Sequence, residues 1–261
     1  MSTPDLTLLG PPISEDDTQK ALQALALRHA RADGLGMQVL NALGGSAADI
    51  MGRLPAPIRD RMEDATAEAL RLAMEAAHRS RGVVGGQSGW LNRAVTTAMG
   101  AAGGLGGMPG AMAELPVTTA ILLRTIQDVA EEEGFDPSEE SVRYDCIQVF
   151  AASGPLERDD EADLAFLGTR LAVTGPALNA LIARVAPRLA AVLGQKLAAQ
   201  AVPVLGAAAG AAVNYAFTGY YQQMAHVHFG LRRLAIEANR DHDELVAEFR
   251  KLITAPAVKR G

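Results

Sequence analysis

Two oppositely charged side chains stand in a mostly apolar segment, and they are the first candidates for chemistry. Arg124 and Asp128 lie four residues apart within 117–130, so on a helix they share one face. Neither charge is tolerated in a core without a partner, so an ion pair within or between helices is the default interpretation. The alternative is the polar floor of a pocket, with Glu114 nearby and Arg124 holding an anionic head group.

A second set of polar side chains lies in 197–231, a segment without Asp, Glu, Lys or Arg. Asn214 and Tyr215 place polar groups inside this segment, and His228 and Arg232, four residues apart, share a helix face. Buried Tyr and Asn side chains normally find hydrogen-bond partners within a core, which is the default here too. The candidate ligand-binding residues are therefore Glu114, Arg124, Asp128, Asn214, Tyr215, His228 and Arg232.

Metal binding and nucleophilic catalysis have little support in the sequence. His226 and His228 are two residues apart and point in different directions on a helix, whereas helical ligand pairs are spaced by three or four. The run Gly-Gln-Ser-Gly-Trp at 86–90 lacks the last glycine of a nucleophile elbow. Cys146 is predicted to be a core thiol. The sequence thus predicts no metal, no cofactor and no catalytic residue.

The glycine-rich stretch 103–110 does not meet the requirements of a nucleotide-binding loop. A Walker loop ends in Gly-Lys-Ser/Thr, and no Lys occurs between Lys20 and Lys196. The Gly-x-Gly-x-x-Gly spacing fails because its last position is Pro109. Close helix packing, or an apolar loop, is the better interpretation of these glycines.

Composition and charge exclude several classes of protein. The 261 residues include 24 basic and 30 acidic side chains, a net charge of −6, and only 4% aromatic residues. A duplex-binding domain has a basic surface and a single-strand binder has stacking aromatic residues, so nucleic-acid binding is not expected. One cysteine forms no internal disulfide, and the first twenty residues carry no apolar signal segment. A cytoplasmic location is expected.

The patterning predicts an all-α fold with one multi-helix domain. A flexible lead at 1–13 precedes a helical domain at 14–254 and a tail at 255–261. Capping and breaking residues predict that the first helix stops at Gly34 and Gly36, that another starts at Pro116, and that Pro187 separates two helices. A Gly/Ala-rich loop is expected in the centre and an apolar helical hairpin near the C-terminus.

Two stretches without charged residues, 94–113 and 197–231, raise the question of a membrane. They could form a buried core hairpin, bind or reversibly enter a bilayer, or span it. Frequent glycine, Pro109 and several polar side chains argue against spanning. The residues expected to contact a membrane or partner are Leu105, Met108, Met112, Val204 and Leu205.

Motifs in both halves of the chain resemble the EcsC protein family. The first block contains Gly-Gly-Met-Pro at 106–109, Glu-Leu-Pro at 114–116 and Gly-Phe-Asp-Pro at 134–137. The second contains Asn-Tyr-Ala-Phe at 214–217 and His-Phe-Gly-Leu-Arg-Arg-Leu at 228–234. The resemblance implies a bacterial, mostly helical protein. The founding member of the family is encoded beside an ABC-type exporter, which implies a link to the membrane.

The sequence therefore favours a non-enzymatic helical protein at the periphery of the inner membrane. Its partner would be the membrane surface, a lipid, or a membrane complex of the ABC-exporter type. Because the chain is acidic, attachment would be apolar and insensitive to salt. The alternatives are a hydrolase with a polar pocket around Glu114, Arg124 and Asp128, or a partner-binding scaffold. Homo-oligomerisation stays open.

Overall fold

The fold is all-α, as the patterning of the sequence predicts. The computed structural model describes residues 11–43, 52, 54–80, 107–150, 176–200 and 206–254. Some helical residues among them are described by their backbone alone. These ranges contain no strand. Its helices are α1 (Glu15–Leu43), α2 (Ala56–Arg59), α3 (Met62–Ser80), α4 (Gly107–Glu132), α5 (Glu140–Val149), α6 (Pro176–Gln200), α7 (Gly206–Glu237) and α8 (His242–Thr254). The predicted lead and tail, apart from 11–13, lie outside these residues.

Helix α7 is the centre of the bundle. It contacts α1, α4, α5, α6 and α8, and its contact with α1 is the most extensive in the described part of the chain. The backbone N–H of Ile13 donates to the carbonyl of Glu237 at 3.0 Å, and Arg28 bonds Gln223 at 3.2 Å, so α1 and α7 run antiparallel. Because α7 has neighbours on most sides, a helix with little charge suits its position.

Three helix ends are capped by nearby residues. The Ser14 hydroxyl accepts from the backbone N–H of Asp17 at 3.2 Å before α1, and Asp241 accepts from two N–H groups at the start of α8. Gly134 has a φ of +88° after α4, and the N–H of Phe135 donates to the carbonyl of Ala130 at 2.8 Å. Such a left-handed glycine ends a helix in the Schellman manner, satisfying carbonyls of the last turn.

The predicted helix breaks at glycine and proline are wrong. Helix α1 continues through Gly34 and Gly36 to Leu43, and Pro116 and Pro187 lie inside α4 and α6. Inside a helix, a glycine lowers the stability of the helix by about 1 kcal/mol relative to alanine, and a proline lowers it by about 3 kcal/mol. The energy of packing the whole helix against its neighbours can exceed these losses. Consequently the predicted central loop is helical from Gly107 onward, while 81–106 lie outside the described residues.

The expected C-terminal hairpin corresponds to α6 and α7, which follow each other in sequence and pack together. Most of the described side chains between 211 and 231 are buried, including Phe217, Tyr220, Tyr221 and Phe229. Their burial within the bundle accounts for much of the charge-free segment, as the core interpretation predicts.

Gly230 on α7 lies close against the side chain of Leu25 on α1. A Cβ atom built at Gly230 would lie 2.7 Å from Cδ2 of Leu25, whereas one at Gly34 meets nothing within 4 Å. Both glycines are helical, so replacing either with alanine gains the same intrinsic helix propensity. Only the substitution at Gly230 has to displace a neighbouring side chain.

We expect Gly34→Ala to raise the free energy of unfolding by roughly 0.5–1 kcal/mol. Gly230→Ala should lower it by about 1 kcal/mol, since the strain of overpacking against Leu25 exceeds the propensity gain. Urea denaturation of both variants measures the difference. Equal stabilisation by the two substitutions would show that α1 and α7 are not in close contact at Gly230.

Candidate functional site

Arg124 and Asp128 form the ion pair that their spacing predicts. Nε of Arg124 lies 2.9 Å from Oδ1 of Asp128, and the two side chains are 15% and 5% exposed. At this burial an ion pair in good geometry avoids the cost of an isolated charge. The side chain of Glu114, proposed as their neighbour, lies outside the described residues, although its backbone belongs to α4.

A buried lysine lies on the next helix and was not among the predicted site residues. Lys196 on α6 is 1% exposed, and its Nζ donates to the hydroxyl of Thr118 on α4 at 3.1 Å. Asn214 is also buried, whereas Tyr215 is 46% exposed. The signal for Lys196 was its isolation: it is the only charged residue between Arg188 and Arg232.

The contact between Lys196 and Thr118 places the first half of α4 beside the last turns of α6. Helix α7 starts six residues after α6 ends and packs against both α4 and α6. We call 107–120 of α4 and 206–218 of α7, the two segments that begin these helices, the apolar end. It contains a single charged residue, Glu114.

The apolar end exposes large apolar side chains. Val117 is 48% exposed and Tyr215 is 46% exposed. Of the predicted membrane contacts, Leu105, Val204 and Leu205 lie outside the described residues. The backbones of Met108 and Met112 belong to α4, but their side chains are not described. In the described part of the chain, no helix combines the length and hydropathy needed to cross a bilayer.

The second half of α7 carries a different arrangement, in which basic side chains meet carboxylates from other helices. Nη1 of Arg232 contacts Oδ2 of Asp145 on α5, and Nε2 of His228 lies 3.6 Å from Oδ1 of the same carboxylate. The Arg232 guanidinium also lies 4.5 Å above the ring of Phe135, a cation–π contact. Sequence reasoning selected His228 and Arg232 but missed Asp145.

Glu133, which follows α4, forms a parallel cluster with α7. Its Oε1 lies 2.7 Å from Nδ1 of His226, and its Oε2 lies 2.5 Å from Nη1 of Arg233. The carboxylate is 8% exposed. We call these two groups, centred on Glu133 and Asp145, the ionic clusters. They connect α7 to the end of α4 and to α5.

The surroundings lower the pKa of both carboxyl groups below its ordinary value. Burial by itself raises the pKa of Glu133, but the hydrogen bond with His226 and the charge of Arg233 outweigh it. For Asp145, burial likewise raises the pKa, and the hydrogen bond with His228 and the charges of His228, Arg232 and His242 outweigh it. Both carboxylates are therefore ionised in the folded protein at neutral pH.

The predicted ligand-binding residues do not form one site. Asn214 and His228 are 14 residues apart on one continuous helix, which separates them by about 21 Å along its axis. Arg124, Asp128, Asn214 and Tyr215 belong to α4 and the first half of α7, whereas His228 and Arg232 belong to the Asp145 cluster. Within the described ranges, no group of three or more potential ligand residues has a geometry that could hold a metal.

Comparison with known proteins gives one match. The sequence model of the EcsC protein family matches residues 86–234, more than half of the chain. No curated protein and no solved structure matches it. The matched region contains Arg124 and Asp128, both ionic clusters and the described part of the apolar end.

Removing the acidic member of a cluster should be costly. We expect Asp145→Asn to lower the free energy of unfolding by about 3 kcal/mol, since it leaves Arg232 partly buried without its anion. The control is Asp16→Asn, which breaks a pair with Lys20 on the exposed surface of α1 and should change stability by under about 1 kcal/mol. Chemical denaturation of both variants measures the two changes in the free energy of unfolding. Similar effects would mean that the cluster contributes no more than a surface ion pair.

The lowered pKa values of Glu133 and Asp145 predict acid sensitivity. In the unfolded chain these groups bind protons near pH 4, whereas the folded chain resists protonation until lower pH. The unfolded state thus binds more protons in this window, and stability should fall between roughly pH 5 and pH 3. Circular dichroism melts across that range measure the slope, which should be shallower in Asp145→Asn. An unchanged slope would contradict the assignment.

Proposed function

As the chain belongs to the EcsC protein family, we propose that it is a non-enzymatic protein that attaches to the surface of the inner membrane through the apolar end of its bundle. The observation that carries this proposal is exposed apolar surface in two segments that are almost free of charge. The segments 107–120 and 206–218 belong to helices that pack against each other, contain one charged residue between them, and expose Val117 and Tyr215. Exposed large apolar side chains in such segments are typical of a contact surface.

The net charge of the chain and the length of its helices indicate the type of membrane contact. With a net charge of −6 the chain gains nothing from electrostatic attraction to anionic lipid, so attachment relies on apolar burial and resists salt. Tyrosine suits the interface between hydrocarbon and water, because its ring is apolar and its hydroxyl is polar. Peripheral contact needs only side chains at the end of helices, and no spanning segment.

The ionic clusters support the proposal from the opposite half of α7. Glu133 and Asp145 hold His226, Arg232 and Arg233 against the bundle. Such pairs would keep the helices together while the other end of α7 contacts a membrane. Arg124 and Asp128 hold each other in an ion pair, and we assign them no catalytic role.

Flotation with liposomes of neutral lipid tests the proposal. The wild-type protein should float with the vesicles at both low and high salt. The double variant Val117→Ser, Tyr215→Ser should bind at least roughly tenfold more weakly. Burying two such side chains contributes between about 1 kcal/mol and several kcal/mol of binding free energy, and a tenfold change in affinity corresponds to about 1.4 kcal/mol.

The matched control is the double variant Leu72→Ser, Ile236→Ser. These residues are 47% and 48% exposed, close to the values for Val117 and Tyr215, but lie outside the apolar end. The control should float like wild type. If wild type fails to float, lipid attachment is wrong. Co-purification of a membrane complex or self-association, lost only in the Val117/Tyr215 variant, would instead make the apolar end a protein interface.

A further inference from the structure

Helices α1 and α8 lie side by side and run in the same direction. Nη1 of Arg240, just before α8, lies 3.5 Å from Oε1 of Glu15 in the first turn of α1. Further along both helices, the ring centroids of His29 and Phe249 are 6.1 Å apart, and a cavity of about 580 Å³ lies between the two helices. We call the outer surface of 15–34 and 242–254 the α1/α8 face.

The centre of the α1/α8 face exposes apolar side chains. The fully exposed residues of α1 between Lys20 and Arg31 carry no charge, and they are Gln23, Ala24, Leu27 and Ala30. Leu27 is 62% exposed, and it lies at the cavity whose apolar walls include Leu252 and Ile253 of α8. An exposed leucine beside an apolar recess can complement a second copy of the same surface, because each copy offers both the projection and the recess.

The two ends of the α1/α8 face carry opposite charges. Where the helices begin, Lys20 and Arg240 are outnumbered by the carboxylates of Glu15, Asp16, Asp17, Asp241, Asp243 and Glu244. At the other end the described charged residues are the basic Arg31, Arg250 and Lys251 and the acidic Asp33. The face is therefore acidic at one end, apolar in the middle and basic at the other end.

The spacing along α1 makes this charge separation self-complementary. Asp17, Ala24 and Arg31 are all exposed and are separated by seven residues, about two turns, so they lie on one side of the helix. When two copies pack antiparallel about Ala24, Asp17 of each copy lies opposite Arg31 of the other. Asp17 also contacts Lys20 at 3.3 Å, but that pair is exposed and contributes little.

We propose that the α1/α8 face binds a second copy of the chain in an antiparallel, isologous dimer. Such an interface uses the same surface of both protomers, so the acidic end of each meets the basic end of its partner. Leu27 of each protomer packs toward the apolar recess of the other. The dimer is independent of membrane attachment, because the α1/α8 face and the apolar end share no described residue.

The size of the α1/α8 face sets the strength of the dimer. With a rise of about 1.5 Å per residue and a width of about 10 Å per helix, the two segments offer about 500 Å² on each protomer. The total of about 1,000 Å² is near the lower limit of specific interfaces, so the dimer should dissociate with a Kd on the order of micromolar.

Sedimentation velocity of the full chain from roughly 1 to 100 µM tests the proposal. The wild-type protein should shift from monomer to dimer over this range, and high salt should weaken the dimer by screening its charged ends. Leu27→Arg places like charges near the centre of the interface and should raise the Kd at least roughly tenfold. The matched control Leu72→Arg, at a 47% exposed leucine of α3, should dimerise as wild type does.

Two charge reversals test the antiparallel arrangement. Asp17→Arg and Arg31→Glu each place like charges opposite one another in their own homodimers, so each alone should dimerise at least roughly tenfold more weakly at low salt. Mixed in equal amounts, the two variants should form a heterodimer about as stable as the wild-type dimer, because opposite charges then meet at both ends. Recovery on mixing also shows that neither substitution acts by unfolding α1.

Several outcomes would overturn the dimer. The proposal fails if the wild-type protein stays monomeric at roughly 100 µM, if Leu27→Arg dimerises like wild type, or if mixing the charge variants restores nothing. A dimer lost only in the Val117→Ser, Tyr215→Ser variant would move self-association to the apolar end. A monomer that dimerises only after removal of 1–10 or 255–261 would assign the α1/α8 face to that segment of the same chain instead.

Discussion

The position of α7 at the centre of the bundle is the constraint on which the rest of the structure depends. A helix in contact with five others has few solvent-facing positions, so a charged side chain on it must find an opposite charge on a neighbour. The first 26 residues of α7 meet this requirement by carrying no charge at all. The remaining turns meet it with Asp145 and Glu133, which contact the guanidinium groups of Arg232 and Arg233. The same two carboxylates lie against the imidazoles of His228 and His226 in the preceding turns.

Local chemistry made much of the fold predictable. Ser14, Gly134 and Asp241 cap helices because their side-chain or backbone properties satisfy groups a few residues away, and such effects need no knowledge of the tertiary structure. The predicted breaks failed for the converse reason. Gly34, Pro116 and Pro187 weaken a helix locally, and whether it continues depends on the packing energy of the whole element against its neighbours.

The candidate sites likewise include contacts that follow from local spacing and contacts that depend on the tertiary structure. The ion pair of Arg124 and Asp128 follows from a spacing of four residues on a helix. The partners of Arg232 and Arg233 are 87 to 100 residues away in sequence, where no spacing rule applies, although two arginines in an apolar helix indicate that carboxylates must be nearby. The cavity between α1 and α8 likewise depends on residues more than 200 positions apart, and periodicity within either helix gives no sign of it.

Burial also narrows what the charge-free segments can mean. Between 213 and 231 the absence of charge is explained by the core, since most of these side chains are enclosed by other helices. A membrane is therefore not required to account for that part of the sequence.

What the core does not account for is the first half of α4 and the start of α7, where Val117 and Tyr215 remain about half exposed. The ionic clusters occupy the other half of α7, so charge and exposed apolar surface are separated along one helix. This separation suits a protein that contacts an apolar surface with one end while ion pairs hold the other end together.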